Sequence, residues 1–179
     1  AIHYVDEIIP YITESDLEDI LNMFEGLTRH LIKEIKGVKL NKFARITYDK
    51  AMMLYGSDKP DIRVDMQLVE LNDLCMGKGF DLFDDAELIV AINVQGCANY
   101  SRKQLDELVN FVKTPQVGAT GLIYCKYNED GTSKSTVDKF YDEHTRNSWA
   151  KKAKCKNGDL LLIMAGEKNQ TRKALSTLR

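Results

Sequence analysis

Apolar residues recur along this chain first at helical spacing and then in a mixed pattern. Leu17, Ile20, Leu21, Phe24, Leu27, Leu31 and Ile35 fall on one face of a helix. Ser15 with Glu18 reads as its capping box and Gly37 as a left-handed stop, so a long amphipathic helix is expected between them. Thr47 caps a second, short helix through Ala51, Met52 and Tyr55, which the turn Gly56-Ser-Asp-Lys-Pro60 closes. From Arg63 onward the pattern changes. Val64, Met66 and Leu68 alternate with Asp65 and Gln67, which predicts a half-buried strand. Residues 86–94 form a more continuously apolar strand, and Ser101 with Gln104 opens a helix through Leu105, Leu108, Val109 and Val112 that Thr114-Pro115 stops. Residues 122–127 read as a strand closed by a turn at Glu129-Asp-Gly131, residues 137–149 as a helix, 160–164 as a strand and 169–178 as a last helix. That order predicts an α+β fold, a two-layer sandwich with helices over one face of a sheet.

Composition narrows the class. The chain has 179 residues, 44% hydrophobic and 29% charged with both signs interspersed, the balance of a globular domain with one core and an extra arm. No apolar run approaches the roughly 20 residues a membrane helix needs, and no basic-then-apolar segment opens the sequence, so a cytoplasmic location without membrane contact is expected. Cys75, Cys97, Cys125 and Cys155 are widely separated, with no Cys-x-x-Cys pair and only His3, His30 and His144 beside them. That spacing suits no metal, and the expectation is free, mostly buried thiols rather than two disulfides.

With a net charge of −2, any RNA contact must be local. The candidates are Arg102 and Lys103 at a helix start, Lys126, Lys134 and Lys139, and the cluster Lys151, Lys152, Lys154 and Lys156, whose alternative is a solvated helix face. Tyr100, Tyr127, Phe140, Tyr141 and Trp149 interleave as candidate stacking surfaces. No catalytic residue is assigned. Carboxylate neighbours such as Asp84 and Asp85 or Glu129 and Asp130 fit solvated turns, Ser57, Ser101 and Ser135 have no assignable base, and His144 sits among Asp138, Asp142 and Glu143 on an expected helix. Gly77-Lys-Gly79 is an isolated Gly-x-Gly and reads as a loop. The turn Ser57-Asp58-Lys59-Pro60-Asp61-Ile62-Arg63 carries more charge than a turn requires. It is either a functional surface or a place where Asp61 and Arg63 pair to fix an interdomain angle.

The words themselves carry a resemblance. Arg45-Ile-Thr-Tyr-Asp-Lys-Ala-Met-Met-Leu-Tyr-Gly-Ser-Asp-Lys-Pro-Asp-Ile-Arg63, then Phe80-Asp-Leu-Phe83, Ala91-Ile-Asn-Val94, Ser101-Arg-Lys-Gln-Leu-Asp-Glu-Leu108, Gly118-Ala-Thr-Gly121, Lys139-Phe140, Gly158-Asp-Leu-Leu-Leu-Ile163 and Ala174-Leu-Ser-Thr-Leu-Arg179 follow in one order. In that order they resemble bacterial-type aspartyl-tRNA synthetase, from about Ile12 to the C-terminus. The resemblance implies that residues 1–63 are a helical arm of a class II catalytic domain. Residues 64–165 would be the inserted GAD domain with a mainly antiparallel β-β-α-β-β-α-like sheet, and 166–179 a helix returning toward the catalytic half. The family's adenylate-forming motifs are not legible: Phe43-Ala-Arg45 is followed by Ile46 and Thr47 rather than a carboxylate, and no Gly-x-Gly-x-Gly run occurs. Near the start, Asp6 and Tyr11 fall on family positions, but Tyr4 and Ile8 stand where the family has Gln and Glu, so no aspartate pocket carries over.

The expectation is thus an excised or truncated insertion-domain piece, inactive and cofactor-free by itself and monomeric, that helps position the acceptor arm of tRNA-Asp. Its parent would be a homodimeric ligase using ATP and Mg²⁺, with catalytic and anticodon-binding domains as the piece's other partners. Two alternatives stay open: a stand-alone or amidotransferase-type GAD module that recognises tRNA, and a purely structural brace. The turn words from Gly56 to Arg63 favour the synthetase context.

Overall fold

The computed structural model describes residues 13–179, which fall in two compact units, 13–45 and 46–179. Tyr4, Asp6, Ile8 and Tyr11 lie outside the described residues. In the first unit, helix α1 spans Glu14–Lys36. Its cap is Thr13, whose hydroxyl accepts from Asp16 N–H while the Asp16 carboxylate accepts from Thr13 N–H at 2.9 Å. The box expected at Ser15 and Glu18 is therefore displaced, because Thr13 with Asp16 offers the same reciprocal bonding two residues earlier. Gly37 ends the helix in the left-handed region, as read. The segment after it folds back along α1. The buried Glu25 carboxylate accepts from Phe43 N–H at 3.0 Å and faces the Arg45 guanidinium, and Arg29 Nε donates to Leu40 O. The apolar face of α1 is nonetheless open: Leu17, Ile20, Leu21, Met23, Phe24, Leu27, Leu31 and Ile35 are each between 37% and 71% exposed.

The second unit opens with α2 (Tyr48–Tyr55), capped by Thr47 as expected and closed by Gly56 at φ +66°. Then come β1 (Val69–Glu70), two single-turn helices α3 (Asn72–Cys75) and α4 (Asp81–Asp84), β2 (Leu88–Val94), α5 (Arg102–Val112), β3 (Ile123–Tyr127), β4 (Ser133–Ser135), α6 (Glu143–Ala153), β5 (Leu160–Gly166) and α7 (Lys168–Leu178). The strands make one sheet in the order β1-β2-β5-β3-β4, antiparallel at every pairing. The expected α+β class and antiparallel sheet are found.

Strand alternation sends residues to two cores. Ile89, Ala91, Ile123, Cys125, Leu161 and Ile163 pack with Leu71, Phe83, Tyr141 and Trp149 beneath α3, α4 and α6. Leu88, Val90, Ile92, Leu160, Leu162 and Met164 pack with Leu105, Val112, Ala174 and Leu175 beneath α5 and α7. The helical cover thus exceeds the one face anticipated. The runs at 88–92 and 160–165 announce it, being apolar at every position rather than alternating.

Two expected elements differ. The alternating segment 64–68 makes no ladder, which begins only at Val69↔Ala91. Its carbonyls are engaged elsewhere: Arg179 donates to Asp61 O, Val64 O and Met66 O, while Leu68 N–H bonds Leu54 O at 2.7 Å. Met66 and Leu68 still turn inward to the α5–α7 core, so the alternation is real and the strand is not. The helix expected from 137 begins at Glu143, because Asp142 caps it by accepting from Thr145 N–H and the preceding residues form turns held by Asp138. Strand β4 went unread, being three polar residues long.

Candidate nucleic-acid interface

Between α5 and the β3–β4 edge the second unit has a groove of about 480 Å³. Its helix wall is Arg102, Leu105, Asp106 and Val109, spaced three and four apart so that they share one stripe. Its floor is Leu122, Tyr124 and Lys126, every second residue along β3 and its approach, and its far wall is Lys134, Ser135 and Thr136. The register Lys126↔Lys134 and Cys125↔Ser135 fixes the two lysines side by side on the α5 face. Ser101 and Gln104 make the reciprocal box expected at the start of α5, which holds Arg102 at the groove mouth.

Three cations meet one carboxylate here. Arg102 and Asp106 approach to 3.8 Å on the exposed helix surface, a pair that stabilises by only about 0.3–0.5 kcal/mol and still leaves Lys126 and Lys134 uncompensated within the groove. The Lys126 ammonium is fixed by donating to Tyr100 O, and Ser135 Oγ donates to Tyr124 O at 2.9 Å, tying the far wall to the floor.

Of the residues singled out by sequence, Arg102, Lys126 and Lys134 are therefore brought together. Lys103 lies on α5 outside the groove lining, and Lys139 lies in the 136–142 turn, whose Val137 and Tyr141 belong to the opposite core. Lys152 pairs with Asp73. The turn residues Ser57, Asp58, Lys59, Asp61 and Arg63 do not line the groove. There Ser57 Oγ accepts from Lys59 N–H, and Arg63 grips Asp61 through Nε at 2.9 Å and a terminal nitrogen at 2.6 Å. Hydrogen bonding from Arg63 holds the Asp61 carboxyl well below the usual range, yet Arg63 is 87% exposed, so the pair is a solvated clasp within one turn.

Three stacking candidates belong to the core instead. Trp149 and Tyr141 are fully buried, ring centroids 4.9 Å apart, and Tyr127 is buried with its hydroxyl donating to Arg146 O. Phe140 remains half exposed and lies against Phe80 at 4.8 Å. Tyr124 was missed by sequence reading. Its signal was the β3 parity it shares with Lys126.

Elsewhere the chemistry is muted. The loop Gly77-Lys78-Gly79 turns its N–H groups onto the Asp84 carboxylate at 2.7, 3.3 and 2.8 Å, so its anion-binding donors already hold an anion. All four cysteines are free, as expected; burial pushes the thiols of Cys75 and Cys155 up to about 12 and that of Cys125 to about 11. Among the described residues no cluster of His, Cys, Asp or Glu is arranged to hold a metal, and no helix is long and apolar enough to cross a membrane.

An antiparallel sheet clad by helices on both faces, with a cation-bearing groove at one edge, makes the second unit a domain of the α+β sandwich class. The family model of the GAD domain matches residues 82–175, more than half of the chain, and the chain belongs to that family. The aspartate–tRNA ligases of Azobacteroides pseudotrichonymphae and Flavobacterium psychrophilum are 56% and 55% identical to it over 162 residues, and that of Parabacteroides distasonis is 50% identical over 164. Each similarity covers 90% of this chain, and the chain spans 28% of each relative's length. The chain thus resembles the GAD insertion region of these ligases.

Proposed function

We propose that the chain is the insertion region of an aspartate–tRNA ligase and that it helps position the tRNA acceptor arm without itself forming aspartyl-adenylate. The parent enzyme joins aspartate to ATP with Mg²⁺ and transfers it to tRNA-Asp as a homodimer, while this region alone is a monomer that takes neither ATP nor metal. In this reading 1–63 belong with the catalytic body, 64–165 are the insertion, and 166–179 lead back. The carrying observation is the convergence of Arg102, Lys126 and Lys134 on one groove whose single carboxylate is already paired. Phosphate contacts need such point charges and little else, and a protein of net charge −2 must concentrate them.

The test is a titration with tRNA-Asp across a salt series. Arg102→Ala and Lys134→Ala should each weaken binding and lower the salt slope by about one. Lys139→Ala, in the turn anchored in the opposite core, should leave it unchanged. Absence of saturable binding at low salt would favour the bracing role instead.

A further inference from the structure

The groove is not built as phosphate contacts alone would require. A track of phosphates needs an exposed row of cations, whereas here the cations share the groove with Leu105 and Val109 of the helix wall and with Leu122 and half-buried Tyr124 of the floor. At about 480 Å³, lying between a helix and the sheet it covers, the space is ligand-sized, and an RNA duplex could touch only its rim. After the Arg102–Asp106 pairing, the lining keeps an excess of positive charge from Lys126 and Lys134. An apolar floor with a ring and a cationic rim matches the two halves of a nucleotide, a base with a π-face and a phosphate.

We propose that this groove takes one unpaired nucleotide of an RNA strand, its base against Tyr124 and its phosphate toward Arg102 and Lys134. The inference rests on the reading of the chain as an RNA-positioning domain and deepens it, from contact with a backbone to capture of a splayed base. Tyr124 is then the residue that separates single-stranded from paired RNA.

The experiment titrates the full chain with three labelled probes: a four-nucleotide single-stranded RNA, a blunt RNA duplex and tRNA-Asp. The expected result is that the single strand binds at least tenfold tighter than the duplex. Tyr124→Leu, which keeps apolar bulk in the strand but removes the ring, should lower that affinity about tenfold, while Tyr124→Phe retains it. Amide chemical-shift changes on adding the single strand should centre on residues 124, 126 and 134, a readout independent of any folding defect in the variants. If tRNA-Asp binds but the duplex competes as well as the single strand and Tyr124→Leu changes nothing, the nucleotide pocket is refuted and the positioning role stands. If none of the three RNAs binds, both fall together.

Discussion

Gly56 closes α2 at φ +66° with its Cα directly against α7: a Cβ placed there would lie 2.2 Å from Arg172 O, 2.8 Å from Arg172 C and 3.0 Å from Ser176 Cβ. Gly56→Ala therefore meets two penalties. Holding an L-residue in the left-handed region costs about 1–2 kcal/mol. The two closest obstructing atoms are helix backbone and cannot rotate away, so α2 and α7 must separate, at about 1–3 kcal/mol by analogy with overpacked cores. Gly96 isolates the first penalty, since it has φ +69° with nothing within 4 Å of a built Cβ, and alanine there keeps the N–H that donates to Asp159. Urea denaturation followed by Trp149, the single tryptophan and fully buried in this unit, reads both variants on one scale. Gly96→Ala should lose about 1–2 kcal/mol and Gly56→Ala about 2–5 kcal/mol. Equal losses would show that the close approach of residue 56 to α7 is absent in solution and would refute the packing described for the Gly-Ser-Asp-Lys-Pro turn.

Two further outcomes follow from buried titratable groups. Burial acts to raise the Asp159 carboxyl, but N–H donors from Lys156 and Gly96 and the Asn93 amide outweigh it and hold it below its ordinary value. Such a group stabilises the fold above its unfolded pKa of about 3.9 and ceases to do so as pH falls through its lower folded value. Asp159→Asn should then cost about 1–3 kcal/mol at neutral pH and flatten the acid limb of a stability–pH profile; an unchanged acid limb would contradict this. The thiols of Cys75, Cys125 and Cys155, at about 11 to 12, hold only about 10⁻³ to 10⁻⁴ of their population as thiolate at pH 8. A thiol-reactive disulfide reagent should label them slowly in the native chain and at once in guanidinium, and rapid native labelling mapped to any of the three would exclude the burial described.

Most of the sheet was legible because its strands are apolar where they must be: 88–94 and 160–166 lie centrally and are buried on both faces, so nothing competes with their reading as strands. The failures concentrate where backbone groups find partners other than a neighbouring strand. Residues 64–68 alternate like a strand, yet the Arg179 side chain, more than a hundred residues away, captures their carbonyls. The stretch 137–142 carries apolar residues at helical spacing, but Asp138 and Asp142 offer their carboxylates to Ser135 and Thr145 N–H groups and hold the chain in turns until Glu143. Short polar side chains compete locally with regular structure, and periodicity does not register that competition.

The groove was legible only in its charges. Arg102, Lys126, Lys134 and Lys139 look alike in sequence, and what sorts them is strand parity combined with register. Lys126 shares its face with Tyr124 and, through the β3–β4 ladder, with Lys134, whereas the turn bearing Lys139 is anchored by Val137 and Tyr141 in the other core. The faces also differ in what they leave open. On the α6 side, Phe80, Phe83, Tyr141 and Trp149 stack in succession at ring separations of 4.9 to 5.7 Å, filling the space under the helices. On the α5 side, Tyr124 has no ring partner of that kind among the described residues, and the space above it stays free. Fuller burial of the partly buried Tyr124 ring and dispersal of the like charges around it would each stabilise the domain further, and the groove has neither. In the proposed binding role a base fills the position over Tyr124, and the response of single-stranded RNA affinity to Tyr124→Leu tests that role against bracing.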